Sequence, residues 1–176
     1  MDRVRLRFLE GAASEARQLS EASEVLTITA FPPFPAATYV CEFRVPHLCR
    51  TDSGRVEVSE GPVICGIHFP EDYLRSVDPK LPLKVASLLR PKNFIHPNVG
   101  MGSICLGYRF APGTRMRLLL HELHEIVSYQ NYSLDETNAM DAEACRLLRA
   151  HPKLLEALEP RPLLPRRHRA RTEIRT

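Results

Sequence analysis

One cysteine of five, Cys105, follows the run His96-Pro97-Asn98 by seven residues, with Gly100, Gly102 and Gly107 scattered around it. A thiolate is a strong nucleophile, so a cysteine presented on a loop is a candidate for covalent chemistry. Pro97 fixes φ and with it the geometry of the turn. The glycines leave backbone that another chain can approach closely. Two bland readings compete: a free cysteine is often a small buried hydrophobe, and Asn98 can simply tie its own loop together. His96 can brace the turn or act as a general base.

The other cysteines, Cys41, Cys49, Cys65 and Cys145, fall in predicted strands or a helix and read as packing residues. An odd number without a Cys-x-x-Cys pair argues against a disulfide framework and a structural zinc site, and a reducing cytoplasm is the expected compartment. The run His121-Glu122-Leu123-His124-Glu125 has its histidines three apart, whereas the zinc-protease helix needs them four apart. It reads as a solvated helix face, and neither a metal nor a cofactor is expected.

These residues need elements to position them. Leu6, Leu9, Ala13, Ala16 and Ser20 recur at helical steps, with Arg3, Arg5, Arg7 and Arg17 mostly off that stripe. Residues 25–31, 38–45, 62–69 and 81–89 read as strands, and residues 55–62 extend the pairing after the turn signal Thr51-Asp52-Ser53-Gly54. Short connections favour an antiparallel meander. Residues 92–112 have no period and are rich in Gly, Pro and Asn, which marks a functional loop. A helix then follows with Thr114 as its N-cap and Met116, Leu119, Leu120, Leu123, Ile126 and Val127 on one face. A second helix, capped by Asp135 or Thr137, turns Met140, Ala144, Leu147 and Leu148 inward, and residues 151–159 form a last short turn. The fold class is α+β: an N-terminal helix, four strands, an irregular loop and C-terminal helices packed on one face or end of the sheet.

The length suits one domain, and 44% hydrophobic residues allow a real core. No run reaches the roughly 18 apolar residues of a membrane span, and the N-terminus has no signal-peptide pattern. Residues 161–176 hold six arginines against one glutamate, +5 of a whole-chain charge of +3, so the rest of the chain carries −2. We therefore divide the chain into a domain over residues 1–159 and a flexible Arg/Pro-rich tail over residues 160–176. No aromatic residue interleaves those arginines, which leaves a nucleic-acid stacking surface unsupported.

The series GIHFPEDY, PLKV, HPNVGMGSICLG, FAPG and TNAMDAEACRLL resembles the ubiquitin-conjugating enzymes, in order and spacing, from about residue 3 to residue 158. The pair His-Pro-Asn and Gly-Ser-Ile-Cys-Leu is its specific part. Gly107 stands where that family usually has Asp. Phe110-Ala111-Pro112 replaces Trp-Ser-Pro, Leu74-Arg75 replaces a Pro-Phe used to dock RING-type ligases, and the C-terminal helices are abbreviated. Such departures are similar to those of divergent bacterial members, found beside ubiquitin-like proteins and activating enzymes in anti-phage operons.

The resemblance implies a cytoplasmic transferase. Cys105 would take a ubiquitin-like C-terminus from an activating enzyme as a thioester and pass it to a lysine of a protein substrate. Asn98 would stabilise the charge that develops on the thioester oxygen. Acidic residues near the cysteine favour the neutral lysine in the family. With Gly107 in one such place, Asp135 and Glu136 are the candidates, against helix capping for Asp135. Tyr108 and Tyr132 could wall the site, and the first helix would meet the activating enzyme. Two other classes stay open: a non-catalytic binding module on the same fold, and a thiol hydrolase pairing Cys105 with His96.

Overall fold

The computed structural model describes residues 2–75, 85–107 and 111–165. The Asp2 carboxylate accepts from the Val4 N–H at 3.0 Å and starts α1 (Arg3–Ala22). Its buried stripe is Leu9, Ala12, Ala16 and Leu19, slightly rotated from the expected one, and it carries Glu15 into the interior.

Strands β1 (Leu26–Phe31), β2 (Thr38–Phe43), β3 (His47–Arg50), β4 (Val56–Ser59), β5 (Val63–His68) and β6 (Ala86–Arg90) follow. Two short strands, β7 (Val99–Gly100) and β8 (Ser103–Ile104), form the hairpin before Cys105. The main sheet is antiparallel with order β1-β2-β5-β6-β8-β7. The expected four-stranded meander is its core, with two differences. The chain leaves the sheet between β2 and β5 to build the separate hairpin β3–β4, and the β7–β8 hairpin widens it to six strands. Of the predicted strand at residues 81–89, residues 81–84 lie outside the described residues.

Period-two burial gives the sheet one inner face: Tyr39, Cys41 and Phe43 on β2 stand opposite Ile67, Cys65 and Val63 on β5. The helix α2 (Met116–Val127) closes this core with the predicted face Met116, Leu119, Leu120, Leu123, Ile126 and Val127, all 0% exposed. Each fully buried leucine contributes about 1.5–3 kcal/mol.

Thr114 does not cap α2. Its hydroxyl donates to the Ala111 carbonyl at 2.6 Å, and the N-cap position is Arg115, with no side-chain cap. Glu15 of α1 supplies the missing acceptor: its carboxylate takes the Arg117 N–H at 2.9 Å and pairs with Arg115. A carboxylate there satisfies a free N–H and faces the positive end of the helix dipole.

The helix α3 (Ala142–Ala150) is capped by Asp141, whose side chain accepts from the Ala144 N–H at 2.9 Å, and by neither Asp135 nor Thr137. Its buried residues are Ala144, Cys145 and Leu148, and α4 (Lys153–Glu156) is the last short turn. The stretch read as tail begins packed. Leu163 is buried and its carbonyl accepts from Ser23, while Arg161 pairs with Glu60 at 2.6 Å. The packed body therefore includes Leu163 and Leu164, and residues 166–176 lie outside the described residues. Among the described residues, no helix is long and apolar enough to cross a membrane.

Candidate active site

Two anchors hold the loop that carries Cys105. On the upstream side, residues 93–95 add themselves to β3. The Arg50 N–H donates to the Asn93 carbonyl at 2.9 Å, and the Ile95 N–H donates to the Leu48 carbonyl at 3.0 Å. On the downstream side, the Phe69-Pro70-x-x-Tyr73 corner ties α1 to the start of α2. Phe8 packs on Phe69 and Tyr73, Arg5 donates to the Phe69 carbonyl at 3.0 Å, and the Tyr73 hydroxyl donates to the Thr114 carbonyl at 2.8 Å.

Between these anchors His96, Asn98 and Cys105 come together through the backbone. His96 is 0% exposed. Its Nδ1 accepts the Asn98 N–H at 3.0 Å, which puts the imidazole proton on Nε2. Burial drives its pKa down to about 3, opposed by the Ile126 carbonyl. His96 is thus a neutral brace for the turn, and the general-base reading finds no geometry to support it. The Asn98 carbonyl accepts the Cys105 N–H at 2.8 Å, which closes the β7–β8 hairpin at its open end. Loop-tying is done by the Asn98 backbone, and its carboxamide makes no hydrogen bond among the described residues.

Cys105 is half-buried, while Cys41, Cys49, Cys65 and Cys145 are all buried. Burial pushes the Cys65 thiol up to about 12 and the Cys49 thiol up to about 11, and raises Cys41 and Cys145 as well. Their packing role is as expected.

The loop between α2 and α3 is brought to the turn from the other side. Both the Met140 and Asp141 N–H groups donate to the Pro97 carbonyl, at 2.9 and 3.2 Å. Asp135 on that loop is exposed, and its carboxylate accepts from the Thr137 hydroxyl, the Thr137 N–H and the Asn138 amide. These bonds, the hydroxyl first, hold it below the usual carboxylate range. Glu136 is paired with Arg146 and Arg149 at 2.7 and 2.9 Å. Tyr132 is 36% exposed, with its ring 6.5 Å from that of His96. Tyr108 lies outside the described residues.

The glycines divide. A Cβ on Gly100 would stand 2.8 Å from the Met140 carbonyl oxygen, so Gly100 is there for close packing. Gly107, at φ +77°, is exposed and borders open space. A cleft of about 470 Å³ runs from Leu106 along α2, past Leu118, His121, Glu122 and Glu125. The histidine pair of that helix splits: His121 lines the cleft, whereas His124 is buried and its Nε2 meets the Arg161 carbonyl at 2.8 Å. The solvated-face reading therefore fails for His124, because the chain after α4 covers it. Among the described residues, no three His, Cys, Asp or Glu side chains converge as a metal site.

Sequence reasoning missed Tyr129 and β3; it read the turn and the pairing over residues 55–62, but not that β4 pairs with β3 in a sheet of its own. The hairpin left a signal in its Thr-Asp-Ser-Gly turn; Tyr129 left none. Compared with known proteins, the chain matches no protein-family model and no curated protein.

Proposed function

We propose that this protein is a ubiquitin-like-protein conjugating enzyme of the divergent bacterial kind, acting in anti-phage defence. The observation that carries the reading is the Asn98–Cys105 link: the half-buried thiol and a carboxamide that makes no hydrogen bond among the described residues sit on residues joined by a 2.8 Å backbone hydrogen bond. The Cys105 thiolate attacks the thioester that joins a ubiquitin-like C-terminus to its activating enzyme, and the activating enzyme's thiolate leaves. A lysine amine then attacks the Cys105 thioester. The C–N bond forms, the C–S bond breaks, the thiolate of Cys105 departs and the amine proton passes to solvent. Asn98 stabilises the oxygen as it becomes negative, a contribution of about 3–4 kcal/mol for one such donor. The incoming C-terminus lies past Gly107 into the cleft along α2, and α1 meets the activating enzyme.

Asp135 attracts the lysine ammonium. A carboxylate is a far weaker base than an amine, so Asp135 recruits the amine and leaves deprotonation to water. The geometry favours transfer over the hydrolase alternative, which paired Cys105 with His96: the Nδ1 of His96 is occupied by the Asn98 N–H and the ring is buried.

The test charges the full chain with a peptide ending in Gly-Gly as its mercaptoethanesulfonate thioester. A thioester adduct on Cys105, with the mass of the acyl peptide, cleaved by added thiol and absent from Cys105→Ala, supports the reading. An adduct that survives in Cys105→Ala, or none on the wild-type chain, overturns it.

A further inference from the structure

Tyr129 follows the end of α2 by two residues and has φ +57°, a left-handed conformation uncommon for a residue with a side chain. A glycine would adopt it without cost, so the ring and hydroxyl must offset the strain. The side chain is 7% exposed and both ends are engaged. Its ring centroid lies 4.7 Å from His96 and 5.9 Å from Phe94, which is itself stacked on His96 at 6.0 Å. Its hydroxyl donates to the Ile95 carbonyl and accepts the Leu48 N–H at 3.3 Å.

Those two partners matter together. The Ile95 N–H already donates to the Leu48 carbonyl, one bond of an antiparallel pair. The reciprocal bond, Leu48 N–H to the Ile95 carbonyl, is replaced by the phenol oxygen inserted between them. The chain leaves β3 at this point, and the next residue is His96. Among the described residues nothing holds the Asn98 carboxamide, and the backbone of Asn98 is what they fix. That backbone is held by the His96 ring through the Asn98 N–H at 3.0 Å and by the Cys105 N–H on the Asn98 carbonyl at 2.8 Å.

We infer that Tyr129 is a positioning residue of the Cys105 site: its hydroxyl, spliced between Leu48 and Ile95, and its ring, against His96, fix where Asn98 presents its amide. The inference rests on the conjugating reading. A donor aimed at developing charge acts only in the transition state, so loosening it lowers the rate and spares substrate binding.

The test uses the same peptide thioester on four full-length chains: wild type, Tyr129→Phe, Asn98→Ala and the double variant. Charging of Cys105 and discharge to free lysine are followed by mass spectrometry at a series of lysine concentrations. Tyr129→Phe should charge as wild type does and discharge about ten- to a hundredfold slower, with an unchanged half-saturating lysine concentration. In the Asn98→Ala background the same substitution should add nothing, since it acts through Asn98. Phe94→Leu, which keeps the hydroxyl bonds but unstacks His96, should give a smaller loss with the same dependence on Asn98, and serves if Tyr129→Phe does not fold. Unaltered discharge in a folded Tyr129→Phe overturns the inference, as does an equal loss with and without Asn98. A wild-type chain that never charges overturns the conjugating reading and this inference with it, whereas a working wild type beside an unaffected Tyr129→Phe overturns this inference alone.

Discussion

Cys41 and Cys65 face each other across β2 and β5 in the middle of the sheet, while Cys105 sits just beyond a two-residue strand at its margin. The three thiols are chemically the same group in two opposite settings. The sheet pair is walled in by period-two packing and both thiols are 0% exposed, which raises their pKa values and leaves them inert. Cys105 is fixed by a single backbone hydrogen bond to Asn98 and by the hairpin before it, with open space after it at Gly107. One region owes its geometry to neighbours in the sheet. The other owes it to distant anchors at β3, Tyr129 and the Phe69–Tyr73 corner.

The sharpest way to break this comparison is to exchange the roles of the thiols. Cys105→Ala should abolish thioester formation and leave the melting temperature unchanged, as calorimetry beside the charging assay will show. Asn98→Ala should keep charging but slow discharge to lysine by about 10²–10³-fold, in line with removal of one oxyanion donor. Cys65→Ala should do the reverse of Cys105→Ala: charging persists, and urea unfolding shows a loss of about 1–3 kcal/mol from the cavity left in the core.

The buried histidine beneath the turn offers a subtler probe. His96 is neutral when folded, with its pKa lowered to about 3, and titrates near about 6.5 when unfolded. Its contribution is complete above about pH 6.5 and is lost as pH falls toward 3, because the unfolded chain binds the proton more readily. The slope it adds is about 1.4 kcal/mol per pH unit across that window. Urea unfolding of His96→Asn should therefore show a shallower loss of stability between pH 6 and pH 4. The smallest effect belongs to Asp135→Asn, about threefold or less on discharge at low salt, vanishing as salt screens an exposed carboxylate.

The same contrast explains what the sequence made legible. The face of α2 and the alternation of β2 and β5 are written in short periods, and the helix and four main strands follow from them. The cap of α2 is not, because Glu15 comes from a helix about a hundred residues away and leaves Thr114 free to bond Ala111. The site divides along the same line. His96, Pro97, Asn98 and Cys105 are close in sequence and readable as a group. Tyr129 and the β3–β4 hairpin reach that group only through the fold, and a tyrosine after a helix carries no local mark of its task. Gly100 is a related case: the residue type announced a close approach, but Met140, and not an incoming tail, makes it.

The most direct test is how a charged chain divides its acyl group between amine and water. The peptide thioester on Cys105 is formed, excess donor is removed, and the adduct is followed with and without free lysine. A conjugating enzyme should hold the thioester for minutes in buffer and transfer it to lysine, yielding an isopeptide or amide product. Rapid loss to water at a rate lysine does not change, with free peptide acid as the only product, would contradict the reading and point to a hydrolase.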